Sequence, residues 1–239
     1  MIVILLFMAL SNGNAAVSHI GILAGGLLAL KCYHTEVPDD HLRTRFHNID
    51  WEIPAGFFLL NWSVTNLTSH LFGTVAAMFS QVSDASGSEP TESLLGALGV
   101  VIIAPVGEEL IFRQCGTGLL KRCAGKPLTF LLPSVLFAVM HMAYNVQGLS
   151  QMLAGALLYA LCFYVTDNVL YTIIIHAAHN LMCDFMLTET YSQNGYTLLQ
   201  PVSVITNLVL LAAGAAWFVL RFYPRYIKPL TLSENGENM

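Results

Sequence analysis

The feature that most constrains the fold is a series of long apolar stretches, each close to the length that crosses a bilayer. A spanning helix needs roughly 20 predominantly apolar residues. Such stretches lie at 15–33, 53–79, 93–120, 127–144, 149–166, 168–187 and 198–222. Only 10% of residues are charged and 55% are hydrophobic, whereas a soluble domain carries about 25% charged residues. The sequence therefore predicts an all-α, polytopic transmembrane bundle and excludes a soluble globular fold.

The predicted bundle has seven full spans and one short N-terminal segment. That segment, residues 1–10, is too short to cross about 30 Å of hydrocarbon at about 1.5 Å per residue. We expect residues 1–239 to form a single domain, with a motif-bearing core at about 94–222 and a cytoplasmic tail at 223–239.

Basic residues predict the orientation. Nine of the ten Lys and Arg residues lie in two interhelical loops and the C-terminal segment, which fall on the same side by parity. The positive-inside rule places that side, and the C-terminus, in the cytoplasm. Because the loops are brief, we expect an integral protein of a bacterial plasma membrane.

The net charge and the cysteine content indicate which partners and metal sites to expect. The net charge is −5 and no basic run occurs, so we expect the lipid bilayer and no nucleic acid as partner. The five cysteines form no CxxC pair, which argues against a structural zinc site.

Two sequons, at Asn61 and Asn66, lie inside a predicted span, so we interpret them as polar residues lining the bundle interior. The sequence does not determine the oligomeric state.

One run of charge stands inside an apolar span. Glu108, Glu109 and Arg113 lie within six residues, and each ionised group near the bilayer centre costs at least about 2.5 kcal/mol. On a helix, Glu109 and Arg113 are i,i+4 and can pair. Glu108 is rotated by about 100° from Glu109, which predicts one paired carboxylate and one that is free for chemistry. The alternative is an ion cluster that only packs helices.

Two later spans carry polar pairs at i,i+4 spacing. Phe137 and His141 form one pair, and His176 and Asn180 form the other. A glutamate, two histidines and an asparagine suit water-driven peptide hydrolysis. The carboxylate takes a proton from water, and imidazole and carboxamide donors stabilise the oxyanion. No GxSxG or HExxH motif occurs, which disfavours serine and gluzincin-type mechanisms.

The three motifs together resemble the CPBP family of intramembrane proteases. This family comprises CAAX prenyl endopeptidases and bacterial bacteriocin-processing and immunity homologues, and the resemblance covers roughly residues 94–222. It implies Glu108 as general base, His141 as its catalytic partner, and His176 with Asn180 as the oxyanion hole. It also implies that Glu109 and Arg113, with Phe137, support the site. The implied activity is endoproteolysis of a membrane-associated peptide or protein.

Three alternatives stay open from sequence. We expect no cofactor, but zinc held by Glu108, His141 and His176 is the metal-dependent version of the same protease. The same fold could also serve a non-proteolytic immunity or scaffold protein. A proton- or ion-coupled transporter would use intramembrane carboxylates and histidines as well, although the inverted repeats expected of one are absent from the sequence.

Overall fold

The structure is a computed structural model that describes residues 15–37, 49–79, 94–141, 146–190 and 196–229. Within these ranges the chain forms seven helices and no strand, so the all-helical prediction is confirmed for the described part. The helices are α1 (Ala15–Glu36), α2 (Glu52–Phe79), α3 (94–123), α4 (Lys126–Met140), α5 (Val146–Thr166), α6 (Val169–Thr190) and α7 (196–227). The predicted segment at 1–10 lies outside the described residues.

Helix α3 changes type along its length without breaking. It is α-helical over Leu94–Leu98, Ala104–Glu109 and Gly118–Cys123, and π-helical over Gly99–Ile103 and Leu110–Thr117. The residues at these junctions all keep right-handed helical dihedral angles. Single π turns inside α-helices are common at functional sites because the extra residue re-aims the side chains that follow.

Helix α2 packs against α5, α6 and α7. At one end its apolar residues Ile53 and Phe57 join Tyr171 and Phe222 in a buried cluster. Further along, its buried residues become polar, and Asn61 is fully buried. Asn61 therefore lines the bundle interior, as its place in a predicted span indicated.

Helix α1 packs on α3 through glycines. A Cβ atom added at Gly107 would lie 2.7 Å from the carbonyl oxygen of Ile22, and one added at Gly26 would lie 2.7 Å from the carbonyl oxygen of Gly107. Gly107 directly precedes Glu108, so this close backbone contact lies beside the charged run. Small residues allow such an approach between membrane helices.

Ion pairs tie together the helix ends that carry the basic residues. Arg221 and Arg225 near the end of α7 pair with Glu52 and Asp50 at the start of α2. The backbone N–H of Asp50 donates to the hydroxyl of Tyr171 at the start of α6. These three helix ends therefore lie at one end of the bundle, in agreement with the parity of the predicted loops.

Two described helices, Val146–Thr166 and Val202–Ile227, are long and apolar enough to cross a membrane by length and composition. The count of seven spans stays a prediction. The last helix also continues through Ile227, so residues 223–227 are helical where a tail was predicted. The stretch Phe218–Ile227 is π-helical, and the rings of Phe218, Phe222 and Tyr226 pack on one another along it, which stabilises this extension.

Candidate functional site

Glu108 and Glu109 occupy the short α-helical segment between the two π-helical stretches of α3. The two carboxylates have different surroundings. The Glu109 side chain is completely buried, whereas 13% of the Glu108 side chain remains exposed. Adjacent residues on a helix point in directions about 100° apart, which gives the two acids different partners.

Glu109 joins Arg113 and His176. Its Oε2 lies 3.2 Å from Nε of Arg113, which is the i,i+4 ion pair that the sequence indicated. Its Oε1 lies 3.0 Å from Nδ1 of His176 on α6, a contact that the sequence did not indicate. Because a carboxylate only accepts hydrogen bonds, Nδ1 of His176 carries the proton.

Arg113 is fully buried and enclosed by its neighbours. Its Nη2 donates to the carbonyl oxygen of Ala156 at 3.2 Å. Its guanidinium carbon lies 4.6 Å from the ring centroid of Phe137 and 5.3 Å from that of Tyr159. A desolvated guanidinium over aromatic rings gains about 2 kcal/mol of cation–π attraction. Phe137 thus lies where a supporting residue is expected.

Glu108 faces two histidines. Its Oε2 lies 3.7 Å from Nε2 of His141 and 3.7 Å from Nε2 of His176. His141 lies at the C-terminal end of α4, where its Nδ1 is 2.8 Å from the carbonyl oxygen of Phe137. That carbonyl only accepts, so Nδ1 of His141 carries a proton and Nε2 is left to face Glu108.

Asn180 lies one helical turn beyond His176 on the same face of α6. Its Nδ2 donates to the carbonyl oxygen of Val100 at 2.9 Å. Val100 belongs to the first π-helical stretch of α3, so Asn180 ties α6 to that stretch with one of its two amide hydrogens. His179, which points to a nearby direction, packs instead against the ring of Trp62 with centroids 5.4 Å apart.

Sequence reasoning missed two contributions from α5. Tyr159 stacks on the ring of His176 with centroids 5.1 Å apart, and the carbonyl of Ala156 accepts from Arg113. Ala156 and Ala160 are fully buried, and small residues at i,i+4 favour close helix approach. Two alanines at i,i+4 beside Tyr159 were therefore the sequence pattern that could have indicated these contacts.

The donor types around Glu108 include those that bind zinc, but their arrangement does not form a ligand cage. Within the described part of the chain, no three His, Cys, Asp or Glu side chains are placed to hold a metal ion. Using Glu108, His141 and His176 as ligands would also leave no separate general base, because Glu109 pairs with Arg113.

Comparison with known proteins supports the family resemblance that the three motifs predicted. Residues 90–182 match the sequence model of the Rce1-like family, described as type II CAAX prenyl endopeptidase Rce1-like. The chain is also 25% identical over 140 residues to the UPF0177 protein YxdF of Lactococcus lactis subsp. lactis (strain IL1403). That alignment covers 55% of this chain and 77% of the relative. No solved structure matches.

The matched segment holds all three motifs, from Glu108 to Asn180. The Rce1-like family is a family of membrane-embedded proteases, so the match supports a hydrolase without specifying its type. The resemblance predicted from the motifs is thereby confirmed: residues 90–182 are similar to the type II CAAX prenyl endopeptidases of the Rce1-like family.

Proposed function

We propose that this protein is an intramembrane endopeptidase in which Glu108 activates the water that attacks the peptide bond. One observation carries the proposal. A partly exposed carboxylate faces the Nε2 atoms of two histidines at 3.7 Å each, and the Nδ1 atom of each ring is already hydrogen-bonded. At 3.7 Å these contacts are too long for direct hydrogen bonds, so Oε2 of Glu108 and the Nε2 atoms can each bond to a water that lies beside them.

A water beside Oε2 of Glu108 and Nε2 of His141 would donate one hydrogen to the carboxylate and one to the imidazole nitrogen. Its free lone pair then attacks the scissile carbonyl carbon while Glu108 takes the proton. Collapse of the tetrahedral intermediate breaks the C–N bond, and Glu108 passes the proton to the leaving nitrogen. The products are a carboxylic acid and an amine, and Glu108 returns to its ionised form.

His176 and Asn180 are the proposed donors to the oxyanion. To donate from Nε2, His176 must carry protons on both ring nitrogens, because Nδ1 already donates to Glu109. Asn180 keeps a second amide hydrogen beyond the one that bonds Val100, and one such donor contributes about 10² to 10³ in kcat.

The substrate class follows from where the site lies. Glu108, His141 and His176 are on helices that carry apolar outward faces, so the substrate is a peptide or protein associated with the membrane. We propose a bacterial plasma membrane because the predicted loops are brief, and a cytoplasmic C-terminus because basic residues follow the last predicted span. A bacteriocin-like or signalling-peptide precursor suits this setting.

Purified protein in lipid nanodiscs provides the test. Quenched fluorescent peptides would be supplied, one a farnesylated CAAX peptide and one an unprenylated apolar peptide. We expect wild-type protein to cleave one of them and Glu108→Gln to cleave neither, with an unchanged melting temperature. Full cleavage by Glu108→Gln would exclude Glu108 as the general base. Peptide binding without cleavage by the wild type would favour the non-proteolytic immunity or scaffold function.

A further inference from the structure

We propose that Asn61 and Tyr159 are positioning residues for His176. Asn61 lies on α2, outside the segment 90–182 that matches the protease family. A positioning role for Asn61 would extend the candidate active site beyond the matched segment. The effect on cleavage rests on the proposed function, whereas the effect on the His176 ring does not.

Tyr159 holds one face of the His176 ring. The two rings stack with centroids 5.1 Å apart and an interplanar angle of 22°. Phe137 packs edge-on against the same imidazole at 5.7 Å. Both aromatic residues are buried, so rotation of the His176 ring about its Cβ–Cγ bond would have to displace close-packed side chains.

Asn61 holds the far end of the Tyr159 ring. The Tyr159 hydroxyl donates to Oδ1 of Asn61 at 3.3 Å, and Nδ2 of Asn61 donates to the carbonyl oxygen of Gly155 at 3.4 Å. Gly155 lies one turn before Tyr159 on α5. A Cβ atom added at Gly155 would lie 3.3 Å from Nδ2 of Asn61, so the small residue provides the room for this amide.

The geometry of His176 explains why its ring plane matters. One ring must reach Glu109 with Nδ1 and Glu108 with Nε2 at the same time. The Glu109 contact fixes one edge of the ring, and the stacked Tyr159 fixes its plane. A displacement of about 1 Å in a catalytic group can cost about 10²-fold in rate, so loss of the stack would be visible in kcat.

The first experiment compares kcat and KM for three changes: Asn61→Leu, Tyr159→Phe and both together. We expect each single change to lower kcat about tenfold with KM within about twofold. The double variant should be no slower than the slower single one, because both changes remove the same hydrogen bond. Ser63→Ala is the matched control. Ser63 is equally buried on α2, but among the described residues its hydroxyl donates only to carbonyls of its own helix, so kcat should not change.

The second experiment measures the ¹⁵N NMR signals of the His176 imidazole nitrogens directly. The signals are assigned by their loss in His176→Gln. We expect a single His176 signal with Nδ1 protonated in wild-type protein, and an averaged or shifted signal in Asn61→Leu and Tyr159→Leu. An unchanged His176 signal in both variants would overturn the proposal. So would a kcat for Asn61→Leu equal to that of Ser63→Ala. If the wild type cleaves no peptide, the proposed function fails, and the NMR comparison still decides the positioning role.

Discussion

Replacing Glu109 by Gln should damage both stability and activity, because this residue is a fully buried partner of two other groups. The Glu109 and Arg113 side chains are both 0% exposed, and their charges lie 3.2 Å apart. Removing one member of a buried ion pair costs about 3–5 kcal/mol in free energy of unfolding, since the other charge is left uncompensated. Glutamine retains one oxygen that can accept a hydrogen bond, so we expect about 3 kcal/mol.

The activity should fall through His176. Glu109 accepts from Nδ1 of that ring at 3.0 Å, and a carboxamide can present its NH₂ group there instead. The NH₂ group would favour the tautomer with an unprotonated Nδ1, which reverses the roles of the two ring nitrogens. In the serine-protease triad the comparable Asp→Asn change lowers kcat about 10⁴-fold. We expect a loss of at least about 10²-fold here.

Thermal unfolding in detergent and peptide cleavage measure the two effects. Glu52→Gln provides a matched control, because Glu52 also pairs with an arginine, Arg221, but their side chains are 38% and 68% exposed. An exposed pair contributes about 0.2–1 kcal/mol, so this variant should keep both its melting temperature and its activity. Equal melting temperatures for Glu109→Gln and Glu52→Gln would refute the claim that the buried pair stabilises the fold.

Two further predictions concern metal and packing. Incubation with 1,10-phenanthroline should leave cleavage intact if Glu108 acts on water directly, whereas loss of activity with recovery on adding zinc would establish the zinc-dependent alternative. Gly107→Ala should lower the free energy of unfolding by about 1–3 kcal/mol, because the added Cβ would meet the backbone of Ile22 at 2.7 Å. Gly125→Ala, whose added Cβ would meet only Pro127 at 3.9 Å, should melt like the wild type, and equal losses for the two alanines would contradict the packing argument.

Apolar length predicted the helices because each element is a single long stretch. The predicted stretch at 53–79 corresponds to a helix at Glu52–Phe79, and that at 149–166 to one at Val146–Thr166. Hydropathy could not predict the π-helical stretches of α3 and α7. A change of hydrogen-bond register alters where side chains point, and it leaves the apolar content of the sequence unchanged.

Helical spacing predicted the pairing of Glu109 with Arg113, because both residues lie on one helix. It could not predict that His176 lies between the two glutamates. That arrangement depends on how α6 approaches α3, and i,i+4 spacing carries no information about a second helix. The same limit explains why Asn180 was predicted only as an oxyanion donor, although one of its amide hydrogens bonds the carbonyl of Val100.

The contacts to backbone carbonyls of α5 that sequence reasoning missed share a physical cause, which is close approach of backbones. The Ala156 carbonyl can accept from Arg113 because α5 is lined by small residues at that level. Asn61 can reach the Gly155 carbonyl because Gly155 has no side chain. In a membrane-embedded bundle, small residues set how near two helices come, and the polar groups then find partners across the contact. Glycine and alanine on the packed face of α5 therefore determine which polar residues reach Arg113 and His176, although they carry no chemistry themselves.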